Sequence, residues 1–170
     1  MRKIRFIVAA SLDGYIAGPK GEIDWIVIDP EIDFEAIYKQ FDTALIGRKT
    51  YETMLKADNV AMPGMKMLVF SRTLRQQDHP KVTIVAGNPQ KTIAKLRNAT
   101  GKDIWLFGGG ALFRSLAEAG FVDTMELSVM PVLLGGGVPL FPTPAPRINL
   151  SLTAHKIYKS GVASLTYSIT

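Results

Sequence analysis

The chain has 170 residues, enough for one well-buried domain and too few for two ordinary ones. Hydrophobic residues make up 47% and charged residues 21%, an ordinary globular balance, and no stretch approaches the ~20 apolar residues of a membrane helix. With no cysteine and two histidines, disulfides, thiol nucleophiles and Cys- or His-rich metal centres are excluded, so no metal is expected and a reducing cytoplasm fits.

The net charge of +5 is modest and comes without a basic run or interleaved aromatics. It suits steering of a small anion rather than a nucleic acid, and nothing in the chain suggests a membrane partner. The N-terminal Arg2-Lys3-Ile4-Arg5-Phe6-Ile7-Val8 has the cations and apolar residues of a signal peptide. Its apolar run stops at Ser11-Leu12-Asp13-Gly14, so a first strand over 3–10 is the better reading.

A glycine-rich loop follows, with Tyr15 and Ile16 between Gly14 and Gly18, and reads as a mobile cover over a site. Asp29-Pro30 reads as the N-cap and first-turn proline of a helix over 31–40. Glu31 and Asp33 in that first turn are the candidate carboxylates for orienting or protonating a polar heterocycle. Trp25 just upstream is a candidate for stacking on a cofactor ring.

Short apolar runs at 43–47, 67–71, 82–86 and 103–107 read as buried strands. Helical spacing predicts helices over 48–56, 90–99 and 110–119. After Gly120 the pattern turns β-rich over 122–133, passes a glycine–proline stretch at 135–146, and ends in strands near 150–158 and 162–169. Lys159-Ser160-Gly161 makes that last pair an antiparallel hairpin. Alternating β and α elements followed by a hairpin predict one α/β domain over 1–170, with helices on both faces of a mixed sheet. The strand region 122–134 is expected to seat a second copy of the chain as a homodimer.

Gly108-Gly109-Gly110 falls where strand 103–107 meets helix 110–119, so a ligand can approach the backbone and meet a helix N-terminus. A tight packing turn without a ligand is the alternative, and the G-x-G-x-x-G fingerprint is absent after the first strand. Two further strand ends carry cation and hydroxyl groups: Gly47-Arg48-Lys49-Thr50 and Ser71-Arg72. In open α/β sheets the ligand crevice lies at such ends. Ser71 and Arg72 suit a ribose 2′-phosphate, and no acid stands there for a bare 2′-hydroxyl, which favours NADPH over NADH.

With these residues in view, the chain resembles the dihydrofolate-reductase-like superfamily. More closely, it resembles stand-alone relatives of the reductase domain of the riboflavin-biosynthesis deaminase-reductase. The matching segments are Ser11 to Ala17, Gly47 to Glu52, Phe107 to Leu112, and Val122-Asp123 leading to Pro131 through Phe141. The resemblance implies a three-layer αβα fold, its eight-stranded sheet mixed but mostly parallel and ending in an antiparallel hairpin. It implies NADPH-dependent reduction of a small heterocycle, most like 5-amino-6-(5-phosphoribosylamino)uracil, and a homodimer. It places Ala10, Trp25, Gly47, Arg48, Lys49, Thr50, Ser71, Arg72, Gly108, Gly109, Gly110, Ala111, Leu112 and Phe113 against the cofactor. Where riboflavin-branch reductases usually carry a glutamate before the glycine run, this chain has Phe107. Reduction of dihydrofolate or another pterin, and a non-catalytic dimeric NADPH-binding module, therefore stay open beside it.

Overall fold

Six of the apolar runs pair as parallel strands, and all but the edge strand at 83–85 have a neighbour on both sides, where continuous backbone pairing satisfies the buried amides. The computed structural model describes residues 1–58, 60–145 and 147–170, so Pro146, the last residue of the expected glycine–proline stretch, lies outside it. Its strands are β1 (Ile4–Ser11), β2 (Tyr15–Ala17), β3 (Phe41–Gly47), β4 (Lys66–Phe70), β5 (Thr83–Val85), β6 (Asp103–Gly108), β7 (Thr124–Met130), β8 (Val138–Pro139), β9 (Leu150–Ile157) and β10 (Ala163–Ile169). Eight form one sheet in the order β5-β4-β3-β6-β1-β7-β10-β9, and β2 pairs with β8 separately. Only β10 runs against its neighbours, which makes β9–β10 the expected hairpin.

Four helices, α1 (Phe34–Tyr38), α2 (Arg48–Lys56), α3 (Pro89–Asn98) and α4 (Gly110–Glu118), cover the two faces. Ile93 of α3 and Leu112, Phe113 and Leu116 of α4 join Ile4, Phe6, Leu45, Ile104 and Leu106 in one core. Tyr51 and Met54 of α2 pack with Ala44, Ile46, Val69 and Phe107 on the opposite face. Tyr38 of α1 lies on that second face too, its ring 5.4 Å from that of Trp105. This is the dihydrofolate-reductase-like three-layer αβα arrangement. Among the described residues no helix is long and apolar enough to cross a membrane.

Two expectations change. The helix placed at 31–40 begins only at Phe34, and its N-cap is Asp33, whose side chain accepts the Ala36 N–H. Asp29 is instead drawn to the β9–β10 turn, where it accepts the N–H of Ser160 as well as that of Glu31. The 122–134 region offers no free edge, because β7 is paired on one side with β1 and on the other with β10. The free edges belong to β5 and β9. At the first of these the Gln76 side chain accepts from Ile84 N–H and donates to the Val82 carbonyl, occupying the edge that another strand would need.

Arg5 ties the middle of the sheet together on the α1 face. Its guanidinium grips Glu126 through two bonds of 2.6 and 2.9 Å, reaches Gln40 Oε1 at 2.6 Å, and lies 4.8 Å from the Phe41 ring centroid. Replacing Arg5 by alanine leaves a largely buried Glu126 without its cation, so urea denaturation is expected to show a loss of about 2–4 kcal/mol. The Arg5→Ala/Glu126→Ala pair is expected to lose less than the sum of its single variants. A loss below about 1 kcal/mol in Arg5→Ala would show that this pair holds nothing.

Candidate functional site

The sheet order sets the C-terminal ends of β4, β3 and β6 side by side, since β3 pairs in parallel with both of the others. Two of these ends turn directly into helices whose N-caps are glycines, Gly47 for α2 and Gly109 for α4, and neither helix has a side-chain cap. Both helix starts therefore lack a side-chain cap, at the positive ends of two helix dipoles.

The glycines are explained by how closely these turns approach each other. A Cβ on Gly47 would stand 3.3 Å from the Gly109 nitrogen, and one on Gly109 would stand 3.0 Å from Thr50 Oγ1. Gly108 has a φ of +154°, and its peptide with Gly109 is cis. Gly110 differs, because its Cβ would lie 2.7 Å from Pro142 Cδ and 2.9 Å from the Leu140 carbonyl. It is a packing glycine, seating the helix start against the 140–142 segment. Both readings of the triple glycine are thus present, divided among its members.

The other cofactor candidates fall into two groups. Thr50 is half-buried beside the glycines, while Lys49, Arg72 and Ala111 are exposed, and Ala10 is buried at the end of β1. Arg48 is committed to Glu52, 2.7 Å away on the next turn. Ser71 is buried, and its hydroxyl accepts the N–H groups of Thr73 and Leu74, shaping the turn after β4. The side chains of Leu112 and Phe113 face the core, Phe113 stacking on Phe6 at 4.4 Å, and both amides donate to the Gly109 carbonyl. These two residues hold the helix start in place from behind.

Trp25 is half-buried in the segment after β2, its indole N–H donating to the Glu22 carbonyl at 3.0 Å. Of the candidate carboxylates, Asp33 spends one oxygen on capping α1, and Glu31 pairs with Lys156 at 3.3 Å. Asp29, set aside at sequence level as a helix cap, is the buried member of the three. No local signal points to Ser160, which lies 131 positions further along the chain.

The early loop is docked rather than hanging free. Asp13 accepts from the Ser11 hydroxyl at 2.6 Å and from the amides of Leu134 and Gly135 at 3.1 and 2.7 Å. Gly137, with φ +140°, passes so close to the Ala17 carbonyl that a Cβ there would overlap it. Together with the β2–β8 pair, these contacts fasten the loop after β1 to the 132–140 segment. The Ser11 hydroxyl, followed by the Gly135 and Leu134 amides, holds the Asp13 carboxyl below its ordinary value of 3.8.

A carboxyl that is more acidic folded than unfolded adds stability above its unfolded pKa, and loses that contribution as pH falls through the folded value. Thermal melts of wild type and Asp13→Asn should therefore differ by a constant amount at pH 6–8 and converge below about pH 4. A gap that stays the same down to pH 3 would show that the Asp13 charge is not what fastens the loop.

The model of the RibD C-terminal domain matches residues 2–164, and the chain belongs to that family. It is 35% identical to the uncharacterized protein YyaP of Bacillus subtilis strain 168, over 98% of this chain and 94% of that protein. Its fold superposes with a TM-score of 0.84 and 28% identity on a putative riboflavin biosynthesis protein from Shewanella sp. PV-4, over 99% of both chains. A dihydrofolate reductase from Enterococcus faecalis, solved with NADP(H) and RAB-propyl, shares the fold at a TM-score of 0.71 and 18% identity, over 99% of this chain and 96% of that one.

Proposed function

We propose that the chain is an NADPH-dependent reductase of a small heterocycle, most like 5-amino-6-(5-phosphoribosylamino)uracil reductase. The observation that carries this is the pair of uncapped, glycine-started helices meeting at Gly47 and Gly109. Two helix N-termini brought that close make a cradle for a doubly charged diphosphate, and a Cβ at either glycine would press the two turns apart. Membership of the RibD C-terminal family and the fold shared with a reductase solved with NADP(H) support the same reading.

In this reading the Gly47–Thr50 and Gly108–Ala111 turns hold the diphosphate through backbone amides and the Thr50 hydroxyl. Exposed Arg72, on the turn that Ser71 shapes, takes the 2′-phosphate. Ala10 and Trp25 flank the nicotinamide. The bound cofactor supplies a hydride to the carbon of a C=N or C=O bond, and a proton from water reaches the heteroatom, completing a two-electron reduction. Asp33 keeps one carboxylate oxygen beyond its capping bond, and with Glu31 it orients the acceptor. Their work is positioning, which lowers the barrier without covalent chemistry.

A homodimer belongs to this proposal, relocated to the hairpin. Leu150, Leu152 and Ile157 of β9 are 42, 54 and 64% exposed on the sheet face that α3 and α4 leave uncovered. Sedimentation at micromolar concentration should return a dimer, and a monomer would remove this part of the reading.

Isothermal titration tests the cofactor directly. NADPH should bind at least tenfold tighter than NADH, and Arg72→Ala should erase most of that preference, since a charge-assisted bond is worth about 1.5–3 kcal/mol. Failure to bind either nucleotide, or a preference for NADH, overturns the proposal.

A further inference from the structure

The strand register fixes which side chains share the sheet face beneath α1. Residues paired directly across neighbouring strands project from the same side. Ala9 pairs with Ser128, Ser128 with Ser164, and Ser164 with Lys156. These four side chains form one row on the face that also carries Arg5 and Trp105, opposite the α3–α4 core. The row begins at Ala9 on β1, the strand next to β6, and follows the sheet order through β7 and β10 to β9. It therefore runs outward from the cofactor cradle. The segment before α1 reaches over its far end, where Asp29 holds Ser160 and Glu31 holds Lys156.

Charge along this floor is already neutralised. Lys156 lies 3.3 Å from Glu31 and 4.4 Å from the Tyr158 ring centroid. In the next row Glu126 has both oxygens on Arg5, and Arg5 spends its remaining donors on Gln40 and Asp103. What the floor leaves unused is hydroxyl chemistry. Among the described residues, neither the Ser128 nor the Ser164 hydroxyl has a hydrogen-bond partner in the protein, and both residues are half-buried. The roof adds negative charge, with Asp29, Glu31 and Asp33 within five positions.

A dianionic phosphate here would lie beneath an acidic roof and compete with Glu31 for the half-exposed Lys156, and like charges brought together are unfavourable. A neutral polar ring meets no such cost, and can give and accept hydrogen bonds at the two adjacent serines.

We infer that the substrate is a non-phosphorylated heterocycle, recognised along one edge by the hydroxyls of Ser128 and Ser164. This rests on the NADPH-dependent reductase reading above and departs from it in the substrate, an aminouracil or pterin without the ribose phosphate in place of the phosphoribosyl compound.

The test uses calorimetry on the full chain saturated with NADP+, after NADP+ binding has been measured by itself, so that failure of the cofactor reading is seen separately. The probes are 5-amino-6-(5-phosphoribosylamino)uracil, the same compound with its phosphate removed, and 7,8-dihydropterin. One of the two unphosphorylated probes should bind at least tenfold tighter than the phosphorylated one. Ser128→Ala and Ser164→Ala should each weaken that binding about threefold to tenfold with an unchanged melting temperature, since each loses one hydrogen bond. Lys156→Gln should change it less than twofold. Tightest binding by the phosphorylated probe, or loss of its binding in Lys156→Gln, overturns the inference. So does saturation with NADP+ without binding of either unphosphorylated probe, or wild-type affinity in both serine variants.

Discussion

The approach of the Gly47 turn to the Gly108–Gly109 turn is the constraint on which the rest of the site depends. Parallel pairing of β3 and β6 brings these two strand ends together, and each strand must leave the sheet at once into a helix. Side chains at the crossing would push the turns apart, with contacts of 3.3 Å or less. The glycines therefore serve packing first. Because they are also the N-caps of both helices, the same absence of side chains leaves both helix starts without a side-chain cap. Packing and anion chemistry here are two consequences of one geometry.

Around that crossing the molecule is fastened by carboxylates rather than by apolar loops. Asp13 ties the loop after β1 to the 134–135 amides, and Asp29 ties the segment before α1 to the β9–β10 turn. α1 buries none of its five residues, so its position owes more to Asp33, Asp29 and the Glu31–Lys156 pair than to a hydrophobic stripe. The hydrophobic energy sits elsewhere, in the α3–α4 layer and beneath α2, where residues such as Ile93, Leu116 and Ile46 are fully enclosed.

The two ends of the sheet are treated differently. At β5 the Gln76 side chain fills the edge, and the strand is only three residues long. At β9 an eight-residue strand is exposed along its whole length, with leucines and an isoleucine on one face and Lys156 on the other.

Much of this was legible in the chain itself. Buried parallel strands need unbroken apolar runs, so 103–107 and 43–47 declare themselves, as do the glycines that end them. Lys159-Ser160-Gly161 announced its hairpin because turn chemistry is local. The expectation for Asp29 went the other way for the same reason: Asp-Pro is a sound local signal for a helix start, and it lost to a contact 131 residues away. The 122–134 strand looked like an edge because its apolar character says nothing about how many neighbours it has. Leu112 and Phe113 likewise carry no mark in sequence that separates a helix residue facing a ligand from one facing the core. Sequence by itself determined the strands of the main sheet, the three longer helices, the glycine turns and the family, since these depend on residue type and short-range spacing. Only the tertiary structure decided which carboxylate holds which loop, that Gly110 packs against the 140–142 segment while Gly47 and Gly109 let two helix starts approach, and that Ser128 and Ser164 stand side by side. Those are consequences of strand order and register, which bring together residues that the chain keeps far apart.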